Sequence, residues 1–140
     1  MKYALLFRVG KILMALDVRT VSHVLKKTEV TPVPDGPDYV EGVFAYKEHI
    51  VSVVTIGGKY GLDRVTEGHL FLVVVDDMLV ALRVTEILDV IEVKEENIES
   101  DDTKGMPVSG MLIREGKPVM ILDLNQILSK KDRKLLNALY

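Results

Sequence analysis

A chain of 140 residues with 48% hydrophobic and 28% charged side chains carries enough apolar material for one globular domain, and its net charge of −3 argues against nucleic acid or an anionic membrane surface as the main partner. The absence of cysteine excludes disulfides, thiolate metal sites and a cysteine nucleophile, and fits a reducing compartment. The longest apolar run, Leu70 to Val75, is far below the roughly 20 residues that a spanning helix needs, and no cleavable signal precedes the first strand, so a cytoplasmic protein with no direct membrane insertion is expected.

The chain opens with the apolar runs YALLFRV and ILMAL, separated by Gly10-Lys11, a pattern that predicts a hairpin. Asp17 is placed to cap a short helical turn through Val18 and Val21, after which HVLKKTEVTPV returns to extended structure. Pro34 and Pro37 then prevent regular ladder pairing, and Tyr39, Val40, Gly42 and Val43 lead into a β-branched run ending at Ile56. This predicts a rigid lead-in followed by a second hairpin, which GGKYG at Gly57 to Gly61 terminates. Thr66 to Gly68 reads as a polar connection.

The second half begins as the first does, with LFLVVV, a turn at Asp76-Asp77, MLVALRV and TEILDVIEV. A shift of 66 positions lays Ala81-Leu82 on Ala15-Leu16, Val84 on Val18, Ile87 on Val21 and Val90-Ile91 on Val24-Leu25. A shift of 68 lays Gly110 on Gly42, MLIREGKPVMIL on VFAYKEHIVSVV, and Asp123 on Thr55. Few identities accompany the match, so chance similarity among β-rich segments competes with internal duplication; the ordered pattern favours duplication. Each copy supplies about five short strands with tight turns, suited to closing into a small barrel. The expected organisation is one domain, 1–140, with approximate halves 1–65 and 66–124 forming the two barrels, a helix over 123–140, and strand exchange between the halves allowed.

Between the last two hairpins, EVKEENIESDDTKGMP is acidic and weakly periodic; it reads as a solvated connection and lacks the alternating carboxylates and glycine of a calcium loop. Asp123 and Gln126 resemble a capping box, and Leu124, Ile127, Leu128, Leu135, Leu136 and Leu139 fall along one helical stripe. The charged cluster from Lys130 to Lys134 interrupts that stripe and reads as a solvated helix face.

Residues that carry chemistry are sparse. His23, His49 and His69 have no metal-binding spacing. GGKYG resembles a phosphate loop only in composition, because no Ser or Thr follows its lysine. Ser22, Ser52 and Ser109 have no nucleophile-elbow context. Neither a cofactor nor a metal is expected, and no catalytic set is visible.

Over nearly its full length the chain resembles the CheW family of bacterial chemotaxis adaptors. The resemblance rests on LLFRVGKILMALDVRTV, VTPVPDGPDYVEGV, LVALRVTEILDVIEV and VSGMLIREGKPVMILDLNQIL, which are weak singly and fairly specific in order and spacing. It implies an all-β fold of two five-stranded SH3-like barrels, with a short helix after Asp17 and a C-terminal helix. It also implies a scaffold without catalysis, joining the cytoplasmic tip of chemoreceptors to the regulatory domain of a CheA-type histidine kinase. One barrel edge would bind the kinase domain and the groove between barrels the receptor. The residues expected to contact partners are His23, Val40, Gly42, Val43, Tyr46 and Lys47.

The departures gather after Gly42-Val43, where the family reads asparagine, leucine, arginine, glycine and this chain reads Ala45, Tyr46, Lys47, Glu48. Lys47 keeps a positive charge without the two-pronged guanidinium. Glu48 stands in place of a glycine, which is expected to alter the turn. His23 stands where many members have glutamate, and Thr85 where many have aspartate. The alternatives are a small-molecule binder or enzyme reusing the scaffold, which lacks a convergent catalytic set, and a nucleic-acid-binding barrel, which would need stacking aromatics in a basic groove. Self-association through exposed barrel edges and the C-terminal leucines is compatible with the pattern.

Overall fold

Apolar runs rich in β-branched residues, interrupted by tight turns, build ten strands. They are β1 (Tyr3–Val9), β2 (Ile12–Asp17), β3 (Val21–Leu25), β4 (Val40–Tyr46), β5 (His49–Thr55), β6 (His69–Val75), β7 (Met78–Val84), β8 (Glu86–Glu92), β9 (Val108–Arg114) and β10 (Lys117–Leu122). Two short helices follow, α1 (Leu124–Ile127) and α2 (Lys130–Asn137). The computed structural model describes residues 2–25, 28–34, 37–56, 68–99, 108–128 and 130–137. The GGKYG turn, most of the polar connection after it, the latter part of the acidic segment and Leu139 lie outside these residues. Among the described residues no helix is long and apolar enough to cross a membrane.

The strands form two five-stranded sheets, ordered β8-β1-β2-β10-β9 and β3-β6-β7-β5-β4, each curled into a small SH3-like barrel. The sheets do not divide at residues 65 and 66. The first barrel takes β1 and β2 from the first copy and β8, β9 and β10 from the second, and the other barrel takes the reverse set. The physical cause is local: the 3-10 turn Val18–Thr20 carries the chain from β2 of one sheet into β3 of the other, and Thr85 alone links β7 to β8 at the matching place. Asp17 starts that 3-10 turn by accepting a hydrogen bond from the Arg19 amide at 3.0 Å.

The duplication is visible in three dimensions. The interior of the first barrel contains Ala4, Leu6, Ala15, Leu112, Val119 and Ile121. The interior of the second contains Leu70, Leu72, Ala81, Phe44, Val51 and Val53, which are the same positions shifted by 66 or 68. A third cluster lies between the barrels, where Phe7 and Phe71 meet edge to face at 5.3 Å and the helices contribute Leu124, Ile127, Leu128 and Leu136.

Two further devices repeat. Thr31 exchanges both backbone hydrogen bonds with Val43 at 2.8 Å, and Glu99 does the same with Met111. These bridges bring a passing chain over Gly42 and Gly110. A side-chain carbon at Gly42 would lie 2.3 Å from the Thr31 carbonyl oxygen, so close approach rather than a positive φ demands glycine there.

The C-terminal segment is not one helix. Asp123 accepts from the Asn125 amide at 3.0 Å and caps α1, which ends at Ile127 with Leu128 out of helical geometry; α2 is a separate helix. The break turns the stripe, leaving Leu136 buried and Leu135 exposed. The Tyr39 hydroxyl donates to Asp132 Oδ1 at 2.8 Å and ties α2 to the lead-in of β4.

Candidate functional site

The edge strands of the second barrel, β3 and β4, carry the residues expected to contact partners. His23 is exposed on β3, two positions before Leu25, which packs against the barrel interior. Tyr46 closes β4, half-buried against the same interior, and its ring centroid lies 6.0 Å from that of His23 at a tilt of 50°. The Lys47 ammonium sits 5.5 Å from the Tyr46 ring centroid, within cation–π range. The Ser22 hydroxyl lies 2.9 Å from His23 Nδ1 and steadies the imidazole. His23, Tyr46 and Lys47 therefore form one contiguous patch at the mouth of the barrel.

The other three expected residues do different work. Val40 is buried in the cluster between the barrels, Gly42 is buried beneath Thr31, and Val43 is half-buried with its backbone groups bonded to Thr31. Of these only Val43 leaves side-chain surface, on the face of β4 opposite Tyr46.

The β4–β5 turn is held where glycine would be easiest. Lys47 and Glu48 have φ of 44° and 69°, and Asp76-Asp77 repeat this with 48° and 65°. Positive φ at both central residues is the tight hairpin turn whose twist matches the flanking strands. Glu48 thus keeps the turn instead of altering it, at the expense of backbone strain. At the corresponding turn in the second copy, Glu115 and Gly116 have φ of 51° and 76°.

Other polar links escape notice in the sequence. Arg83 on β7 reaches across β5 to Glu41 on β4, with Nε–Oε1 at 3.0 Å and an NH2–Oε2 contact of 2.7 Å. Thr85 Oγ1 accepts from the Gly10 amide at 2.8 Å, locking the β1–β2 turn to the strand junction. At Asp17, hydrogen bonding from the Arg19 guanidinium holds the carboxyl below the ordinary carboxylate range, outweighing the opposing effect of burial. Among the described residues no three His, Asp or Glu side chains converge into a metal-binding group; His23, His49 and His69 stand on β3, β5 and β6.

A duplicated pair of interlocked five-stranded barrels defines a double SH3-like β fold. The family model described as "CheW-like domain" matches residues 3–132, and the chain belongs to that family. Chemotaxis protein CheW of Treponema pallidum is 26% identical, with 94% of this chain and 85% of the relative covered. CheW of Thermotoga maritima is 25% identical, with 89% and 85% covered. The crystal structure of the scaffolding protein TtCheW from Thermoanaerobacter tengcongensis superposes with a TM-score of 0.87 at 21% identity, over 96% of this chain and 97% of that one. Membership makes this chain a chemotaxis scaffold.

Proposed function

We propose that this chain couples the cytoplasmic tips of chemoreceptors to the regulatory domain of a CheA-type histidine kinase, acting in the cytoplasm by protein–protein binding without catalysis. The patch of His23, Tyr46 and Lys47 is the contact surface for one of these partners, and Val43 offers further surface on the other face of β4. The observation that carries this assignment is the meeting of His23 and Tyr46 across the two edge strands. Tyrosine supplies a large, rigid, amphipathic area that often dominates binding energy, and the flanking ammonium adds charge steering. A groove between barrels suits apolar anchors from a receptor helix, and an edge strand suits a homologous barrel. Interfaces of this sort, about 1,600 Å² or less, are weak singly and gain strength when many are linked in an array.

Titration of the chain with a kinase regulatory domain and with a receptor-tip fragment tests the reading. Saturable binding of at least one, weakened by Lys47→Glu, supports it. If neither fragment binds, it fails.

A further inference from the structure

The two copies hold different chemistry at one corresponding place. In the second barrel Arg83, directly after Leu82, spans β5 to pair with Glu41, and its NH1 group also donates to the Gly68 carbonyl at 3.2 Å. The two side chains are only 12% and 20% exposed, so a guanidinium fills that space. Shifted by 66 and 68 positions, Asp17 stands where Arg83 does, Ser109 where Glu41 does, and Asp123 where Thr55 does. The parallel register that pairs Ile121 with Ala15 brings Asp123 and Asp17, each two residues on, to the same end of β10 and β2. With these shorter side chains the first barrel is left with an open cleft of about 290 Å³, lined by Asp17, Thr20, Ser109 and Asp123 over Leu16 and Leu122.

We propose that this cleft receives the guanidinium of an arginine side chain carried by a partner protein, at the position that Arg83 fills in the other barrel. The apolar floor accommodates the methylene stem and the carboxylates at the rim take the charged head. Asp17 already accepts from the Arg19 amide and side chain, and Asp123 from the Asn125 amide and from Gln126 Nε2. The Arg19 amide, Nε and NH2 engage both Asp17 oxygens and fill its roughly four acceptor positions, so an incoming guanidinium takes the place of the Arg19 side chain there, while Asp123 keeps acceptor capacity. The Arg19 side chain is 77% exposed, and an ion pair so open to water is a weak competitor for Asp17. A planar donor matches two neighbouring carboxylates better than a point ammonium does. The cleft belongs to the barrel that lacks the His23–Tyr46 patch, so the inference does not depend on that patch being a contact surface.

The test is titration of the full chain with N-acetyl-arginine methylamide, followed by backbone amide shifts. Saturable shifts are expected at residues 16–20, 109 and 121–125. The neutral isostere, capped citrulline, is expected to give none, and capped lysine a weaker response. Asp17→Asn and Asp123→Asn, which keep their capping oxygens, are each expected to weaken binding about tenfold, as loss of a hydrogen bond to a charged group implies. Arg19→Ala, which frees Asp17, is expected to tighten it. Shifts spread over the acidic surface without saturation would overturn the proposal. So would equal responses to arginine, lysine and citrulline, or binding unchanged in both aspartate variants.

Discussion

The rings of His23 on β3 and Tyr46 on β4 lie 6.0 Å apart, joining two edge strands that are distant in sequence. The two side chains meet at the end of β4, beside the turn that carries Lys47.

Lys47 lies in an exposed turn and its ammonium contacts the face of Tyr46. Lys47→Glu is therefore expected to weaken partner binding about five- to tenfold through charge reversal, with folding stability unchanged to within about 0.5 kcal/mol. Calorimetric titration and a melting curve on the same variant check this. Parallel loss of Tm and binding would contradict a surface role.

Gly42 and Gly110 are equivalent but not equally constrained. A side-chain carbon at Gly42 meets the Thr31 backbone at 2.3 Å, whereas at Gly110 the nearest atom, at 2.7 Å, is the Ile98 Cγ2 methyl, which can move. Gly42→Val is expected to destabilise by about 3 kcal/mol or more, and Gly110→Ala by about 1 kcal/mol. Chemical denaturation measures both, and a reversed order would show that the Thr31 bridge is not what fixes Gly42.

Glu48 occupies a left-handed conformation, φ 69°, that glycine adopts without penalty. Glu48→Gly is expected to stabilise by about 1 kcal/mol, as relief of one strained non-glycine residue implies. A fall in stability would mean that the Glu48 side chain makes an interaction worth more than the strain.

Much of this architecture was legible because apolar runs separated by tight turns leave local marks. Gly10-Lys11, Asp76-Asp77 and the shifts of 66 and 68 positions located the hairpins and the duplication, and Asp17 and Asp123 announced their caps. The assignment of strands to barrels was not legible: β3 and β8 change sheets, and pairing between distant strands leaves no short-range signature. The break between α1 and α2 was hidden because leucines on both sides continue one helical period. At the candidate site, His23, Tyr46 and Lys47 come together, while Val40 and Gly42, singled out by their neighbourhood in sequence, prove to face the core. The Arg83–Glu41 pair left no mark in the sequence, because its partners lie on strands brought together only by the fold.

Arg83 and Glu41 form a two-pronged, mostly buried ion pair. Arg83→Met strands the glutamate and is expected to cost about 2 kcal/mol, and Arg83→Lys is expected to recover only part of that because one ammonium cannot engage both oxygens from a single plane. Urea denaturation of the two variants provides the check, and full recovery by lysine would contradict the planar requirement.

The pH dependence of Asp17 follows from its lowered folded-state pKa, caused chiefly by the Arg19 hydrogen bond. A depressed carboxylate stabilises the fold above its unfolded pKa, and that contribution disappears as pH falls through the lower folded value. Asp17→Asn is therefore expected to be slightly less stable than the parent at neutral pH and to converge with it in strong acid, the effect being small for a partly exposed pair. Melting curves across acidic pH follow the difference, and a gap that widens on acidification would reverse the sign.

The most direct test of the scaffold assignment is isothermal titration of the intact chain with a CheA-type regulatory domain and, separately, with a receptor-tip fragment. The expected result is saturable binding to at least one of them, lost progressively in Lys47→Glu and Tyr46→Ala, with Lys47→Glu retaining the parent melting temperature to within a few degrees. No heat of binding with either fragment, or binding indifferent to both substitutions, would contradict a coupling role for the edge that His23 and Tyr46 share.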